Sequence, residues 1–136
     1  MALIARDARA HVDTNTARFS PQLSGGLPGL YAGENLDPVA PCYIKASDGR
    51  VYMSNGTAND AAAKVDGFTP VGYLTGEPVT LYGPGARFGY GNGLTIGALY
   101  LGATPGQLDN ASTIGGLVPI AKAISSTDIV VRALVA

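Results

Sequence analysis

Cys42-Tyr43-Ile44-Lys45-Ala46-Ser47-Asp48-Gly49-Arg50-Val51-Tyr52-Met53-Ser54-Asn55 reads as a β-hairpin almost residue by residue. Side chains on a strand point alternately to its two faces, and the apolar residues here recur at that spacing on both sides of Asp48-Gly49. Asp-Gly is a two-residue turn signal, since a primed turn needs positive φ at both positions. Such a turn sets Ser47 opposite Arg50, Ala46 opposite Val51, Lys45 opposite Tyr52, Ile44 opposite Met53, Tyr43 opposite Ser54 and Cys42 opposite Asn55. One face is then apolar and the other polar. A slip of one residue would turn Ile44, Val51 and Met53 to the wrong side, so pattern and turn chemistry agree.

Working outward, the same grammar continues to the C-terminus. Pro78-Val79-Thr80-Leu81-Tyr82, Leu94-Thr95-Ile96, Ala98-Leu99-Tyr100-Leu101, Val118-Pro119-Ile120-Ala121 and Ile129-Val130-Val131 are apolar runs too short for free-standing helices, most of them followed by a turn signal. Asn55 to Asp66 reads as a loop with one helical turn through Ala61–Lys64, capped by Asn59 or Asp60. Phe68 to Leu74 resumes strand character around Pro70, which suits an edge or a bulge. Glycine-rich turns flank a short strand at Ala86 to Tyr90. Val118 to Ile124 and Ile129 to Val135 form a second hairpin around Ser125–Asp128, whose near-continuous apolar runs imply cover on both faces. The expected fold is all-β, a single antiparallel sandwich of jelly-roll-like topology spanning residues 30–136.

Residues 1–29 stand apart. Arg6, Asp7, Arg9, His11, Asp13 and Arg18 precede Ser20-Pro21 and Ser24-Gly25-Gly26-Leu27-Pro28-Gly29, and that glycine and proline density breaks helix and strand alike. The segment reads as an extended N-terminal arm, either a frayed tail or a stretch ordered by a neighbour. Leu3, Ile4, Phe19, Leu23, Leu27 and Leu30 give it too few apolar groups to fold alone yet more than a solvated tail needs, while Arg6, Arg9 and Arg18 suit pairing with carboxylates. Leu3, Ile4, Arg6, Arg9, Arg18 and Phe19 are the candidate contact residues.

Composition bounds the function. The protein has 136 residues, the length of one domain, with 14% charged residues against roughly 25% in an average soluble domain. A surface so poor in charge is weakly protected against association, so partner subunits are expected to cover part of it. With 9 basic and 10 acidic residues scattered along the sequence there is no basic stripe for nucleic acid. No apolar stretch approaches the ~20 residues of a membrane span, and the N-terminus lacks the core of a signal peptide. Synthesis in a cytoplasm is expected, which the single cysteine fits.

Catalytic residue sets are not apparent. His11 is the sole histidine, so no histidine-built metal site can form. Cys42 falls on the apolar face of the hairpin, where a thiol is a small hydrophobe rather than a nucleophile. Gly89-Tyr90-Gly91-Asn92-Gly93 lacks both the Walker lysine and the dinucleotide fingerprint, so its glycines belong to turns. Asp48, Asp60, Asp66, Glu77 and Asp109 are the acids from which a carboxylate pair would have to be drawn. Tyr31, Tyr43, Tyr52, Tyr82, Tyr90 and Tyr100 are either interface anchors, the lining of a sugar site, or ordinary sheet residues. The expectation is a protein without cofactor, metal or enzymatic activity.

From Tyr31 to Ala136 the layout resembles the small head decoration, or cement, proteins of tailed bacteriophages. The resemblance runs through Ala32-Gly33-Glu34-Asn35-Leu36, Cys42 to Tyr52, Pro70-Val71-Gly72-Tyr73, Glu77-Pro78-Val79-Thr80-Leu81, Gly97-Ala98-Leu99-Tyr100-Leu101-Gly102, Gly106 and Leu117 to Ser125. It implies a structural virion protein on the capsid exterior, bound to the major capsid protein as a homodimer or homotrimer. The alternative is a receptor- or glycan-binding virion or adhesion module.

Overall fold

The structure, a computed structural model, describes residues 17–19, 30–58 and 60–132. Among these residues ten short strands lie in two antiparallel sheets: β1 (Ala17–Phe19), β2 (Pro41–Ile44), β3 (Val51–Met53), β4 (Gly67–Phe68) and β5 (Leu81–Tyr82) form the first. The second holds β6 (Arg87–Gly89), β7 (Gly97–Leu101), β8 (Leu108–Asp109), β9 (Ala121–Ala123) and β10 (Asp128–Val131). Strand order is β1-β5-β4-β2-β3 in one sheet and β6-β10-β9-β7-β8 in the other. One sheet is thus completed before the next begins, whereas a jelly-roll carries successive strands back and forth between sheets. That alternation is absent among the described strands, and the fold is all-β and sandwich-like.

The first hairpin keeps its predicted faces and changes its register. Cys42 lies opposite Met53, Tyr43 opposite Tyr52 and Ile44 opposite Val51. The Lys45 N–H donates to the Arg50 carbonyl at 2.9 Å and the Gly49 N–H to the Lys45 carbonyl at 2.7 Å, so the connection is the four-residue loop Ala46–Gly49 rather than a two-residue turn. Gly49 closes it with φ of 70°. Asp48 explains the choice: its carboxylate accepts the Arg50 N–H at 2.9 Å and the Tyr52 hydroxyl at 2.5 Å, bonds that brace a wide loop. The pairing moved by two residues, and an even shift leaves each side chain on its own face.

Two cores result. Phe68 and Tyr82 of the first sheet meet Phe88 of the second, with ring centroids 6.3 Å apart in both pairs. Around them Leu99, Leu101, Leu108, Ile129 and Val131 fill the space between the sheets. On the far side of the first sheet, Cys42, Val51 and Leu81 pack with Ala32, Leu36, Ala40 and Val79, supported by Ile44, Met53 and Tyr73. This second core is roofed by the segment that leads into the sheet. Tyr31 and Gly33 hydrogen-bond to Val51 on one side, while Leu30 and Ala32 bond to the Gly76–Val79 stretch on the other. The edge of β3 is therefore covered, which removes a template for unwanted strand pairing.

Cover on both faces thus belongs to the β4–β5 centre of the first sheet, not to the C-terminal hairpin. That hairpin forms, with Ile129 opposite Ala123 and Val131 opposite Ala121. However, Lys122 is exposed and Val130 only half-buried, the alternation of a sheet with one wet face. Its expected extension to Val135 runs beyond the described residues. The helical turn is a 3-10 turn over Ala61–Ala63, capped by Asp60, whose carboxylate accepts the Ala62 N–H at 3.0 Å. Pro70 follows β4 rather than lying within a strand, and β4 is central, between β5 and β2. Leu94–Ile96 forms no strand.

Val39 sits at the junction of the cores. It is the one non-glycine residue with positive φ, 49°, among those described, and it is fully buried. The reversal turns its side chain into the inter-sheet core while Ala40 and Leu36 enter the other. Thr69 holds this turn: its hydroxyl donates to the Asp37 carbonyl at 2.6 Å and accepts the Ala40 N–H at 2.9 Å.

Candidate interaction surface

The solvent face of the β2–β3 hairpin carries an aromatic pair. Tyr43 and Tyr52 face each other across the strands with ring centroids 6.1 Å apart, and the Lys45 ammonium lies 5.0 Å from the Tyr52 ring centre. The Tyr52 ring packs over Gly33, where a Cβ would collide with it. Its hydroxyl is tied to Asp48. That bond, followed by the Arg50 N–H, holds the Asp48 carboxyl below its ordinary value, and the same bond raises the Tyr52 phenol. Burial raises the Tyr43 phenol, helped by the negative charges of Glu34, Asp60 and Asp48. The result is a fixed aromatic platform with acids and bases at its rim.

The carboxylates named from the sequence do not converge into a reactive set; each engages a nearby backbone amide. Asp66 accepts the Ile44 N–H at 2.8 Å, Glu77 the Leu74 N–H at 2.6 Å and Asp109 the Ala111 N–H at 3.0 Å, while Asp48 and Asp60 act as described above. Among the described residues no group of three or more His, Cys, Asp or Glu side chains is placed to hold a metal ion. Cys42 is buried, its thiol 3.4 Å from the Ala40 carbonyl.

A second surface is apolar. Ile114, Leu117 and Val118 are 75%, 72% and 56% exposed although the sequence places Val118 at the start of a core strand. The cause lies in the backbone. Thr113 and Gly116 exchange hydrogen bonds of 3.1 Å across a tight turn, the Thr113 hydroxyl donates to the Leu101 carbonyl at 2.7 Å, and Gly115 donates to the Gly56 carbonyl at 2.7 Å. Gly115 lies so close to the Ala58 carbonyl and the Ala63 methyl that any Cβ would collide. Pinned in this way, the loop must aim its large side groups outward. Asn110 to Ala121 contains no charged residue, so nothing ionic offsets this exposure.

Of the candidate arm residues, Leu3, Ile4, Arg6 and Arg9 lie outside the described residues, as does His11. Arg18 and Phe19 belong to β1, where Phe19 pairs with Leu81 and Ala17 with Tyr82 on the open edge of β5. Part of the segment read as an arm is therefore a sheet strand. Tyr82 and Tyr90 are core residues rather than anchors. Tyr90 is wholly buried and its hydroxyl accepts the Leu108 N–H at 3.1 Å. Tyr31, Tyr43, Tyr52 and Tyr100 remain half-exposed. The protein matches no family model, no curated protein and no solved structure.

Proposed function

We propose that this protein is a structural, non-catalytic virion component that binds the outer surface of an assembled phage capsid and cements neighbouring major capsid subunits. The observation that carries the reading is the pinned Thr113–Val118 loop, which presents three aliphatic side groups to water on an uncharged stretch. Exposed apolar groups of this kind mark surfaces that another protein covers. Because hydrogen bonds already hold the loop's backbone, little ordering entropy opposes docking. The capsid as partner rests on the resemblance in sequence layout between Tyr31 to Ala136 and cement proteins. A repeated shell would engage a dimer or trimer of the protein at several points at once, so modest individual contacts suffice. Cosedimentation with empty heads of the phage that encodes the sequence is the test. Saturable binding at fixed stoichiometry is expected, and failure to pellet with heads would overturn the proposal.

A second reading, a receptor- or glycan-binding module, is favoured by the Tyr43–Tyr52 platform, since aromatic faces with polar rims suit sugar rings. Glycan-array binding lost on Tyr43→Ala, in a protein that ignores heads, is the outcome that would replace the first reading with this one.

A further inference from the structure

We propose that Asn92 is a site of spontaneous deamidation in the folded protein, and that Asn55, although it is also followed by glycine, is shielded. The chemistry is intramolecular. Base removes the proton from the Gly93 N–H, the nitrogen attacks Cγ of Asn92, a new C–N bond forms, and the carboxamide's own C–N bond breaks with release of ammonia. Water then opens the five-membered imide at either carbonyl, leaving aspartate or isoaspartate. No oxidant or cofactor is needed. What decides the rate is whether the glycine amide is free to lose its proton and swing toward the carboxamide, and glycine offers no Cβ to hinder it.

The two Asn-Gly pairs differ in that respect. Gly56 is buried, and its N–H donates to the Gly102 carbonyl at 2.8 Å. The Asn55 backbone N–H is held by the Ala62 carbonyl at 2.7 Å, which ties the loop down just before Gly56. Attack there requires breaking the contact between the 54–58 loop and the Leu101–Gly102 stretch. Asn92 and Gly93 are both exposed, and the Gly93 N–H makes no hydrogen bond among the described residues. The flanking amides of Gly91 and Leu94 are bound to the Thr127 and Ser126 carbonyls, so the turn persists while its tip stays accessible. Conversion adds one negative charge to a protein of net charge −1, beside the Ser125–Asp128 turn.

The test is peptide mapping by mass spectrometry after incubation in mildly alkaline buffer, with isoaspartyl methyltransferase labelling as a second readout. It is run on folded and on denaturant-unfolded protein. In the folded protein Asn92 is expected to convert at least ~10-fold faster than Asn55, the factor that a local opening of roughly 1.4 kcal/mol imposes. In the unfolded protein the two should convert at similar rates, and Asn92→Gln should remove the dominant product of the folded form. Equal rates at both sites in the folded protein overturn the proposal. So does an Asn92 that stays intact in the fold over the time the unfolded protein takes to convert it.

Discussion

Thr69 shows how much one hydroxyl can organise. It is buried, and it bridges the Asp37 carbonyl and the Ala40 N–H around the left-handed Val39, replacing the bond the turn would otherwise make for itself. Positive φ at a β-branched residue costs about 1–3 kcal/mol and persists only where surroundings impose it. Thr69→Val keeps the shape but leaves the buried Ala40 N–H without its acceptor, so it should destabilise by about 1–3 kcal/mol in chemical denaturation. Thr69→Ser should recover most of that loss, and equal stability of Val and Ser variants would refute the bridge. The Asp48–Tyr52 bond makes a different kind of prediction. Asp48 is lowered from 3.8, so its contribution is complete above that value and is lost as pH falls through the folded value. Tyr52 is raised from 10.0, so its contribution is complete below that value and is lost as pH rises through the folded value. Both groups are solvent-facing, so the effect is local. A tyrosine and carboxylate NMR titration should show both transitions, and Tyr52→Phe should return Asp48 towards its ordinary value.

At the scale of the element, the first hairpin was legible because alternation assigns faces directly: Cys42, Ile44, Val51 and Met53 turn inward as their spacing requires. The register was not, because it depended on where the Asp48 carboxylate would bond, and the Asp-Gly pair alone suits both a two-residue and a four-residue connection. The same limit hid β8. Leu108-Asp109 is too short to show a period, and it becomes a strand only by pairing with Tyr100 and Leu101. Val118 reads as core material because hydrophobicity reports preference, while the packing of Gly115 and Gly116 against distant backbone decides direction. Gly49 tests the hairpin itself. A Cβ there would touch nothing within 4 Å, so a substitution probes conformation without a clash. Gly49→Val should destabilise by about 1–3 kcal/mol, and Gly49→Asn by clearly less, since Asn tolerates left-handed backbone. Equal melting midpoints for wild type and the Val variant would contradict the left-handed closure of the loop.

For the whole molecule, the named members of both cores begin at Ala32, with Leu30 packed at the margin, so a protein starting at Leu30 retains every described core contact. It should fold, but it uncovers the edge of β5 that β1 occupies, and an open edge invites pairing between copies. Light scattering should therefore show more self-association than in the full-length protein. The apolar loop makes the sharper test, because its side groups do little for the fold. Replacing large exposed residues rarely changes stability by more than about 0.5 kcal/mol, so Ile114→Ser with Leu117→Ser should leave the melting midpoint nearly unchanged. If those groups are buried against coat subunits, each loses roughly 1.5–3 kcal/mol of transfer free energy on replacement. Together they should weaken binding to heads by about a hundredfold or more at each point of attachment. Because the contact is apolar, that loss should vary little across a salt series, whereas a contact made through Arg6, Arg9 and Arg18 would weaken as salt rises. A folded double variant that occupies heads as fully as wild type would remove the loop from the interface and leave the arm, or the tyrosine platform, to carry it.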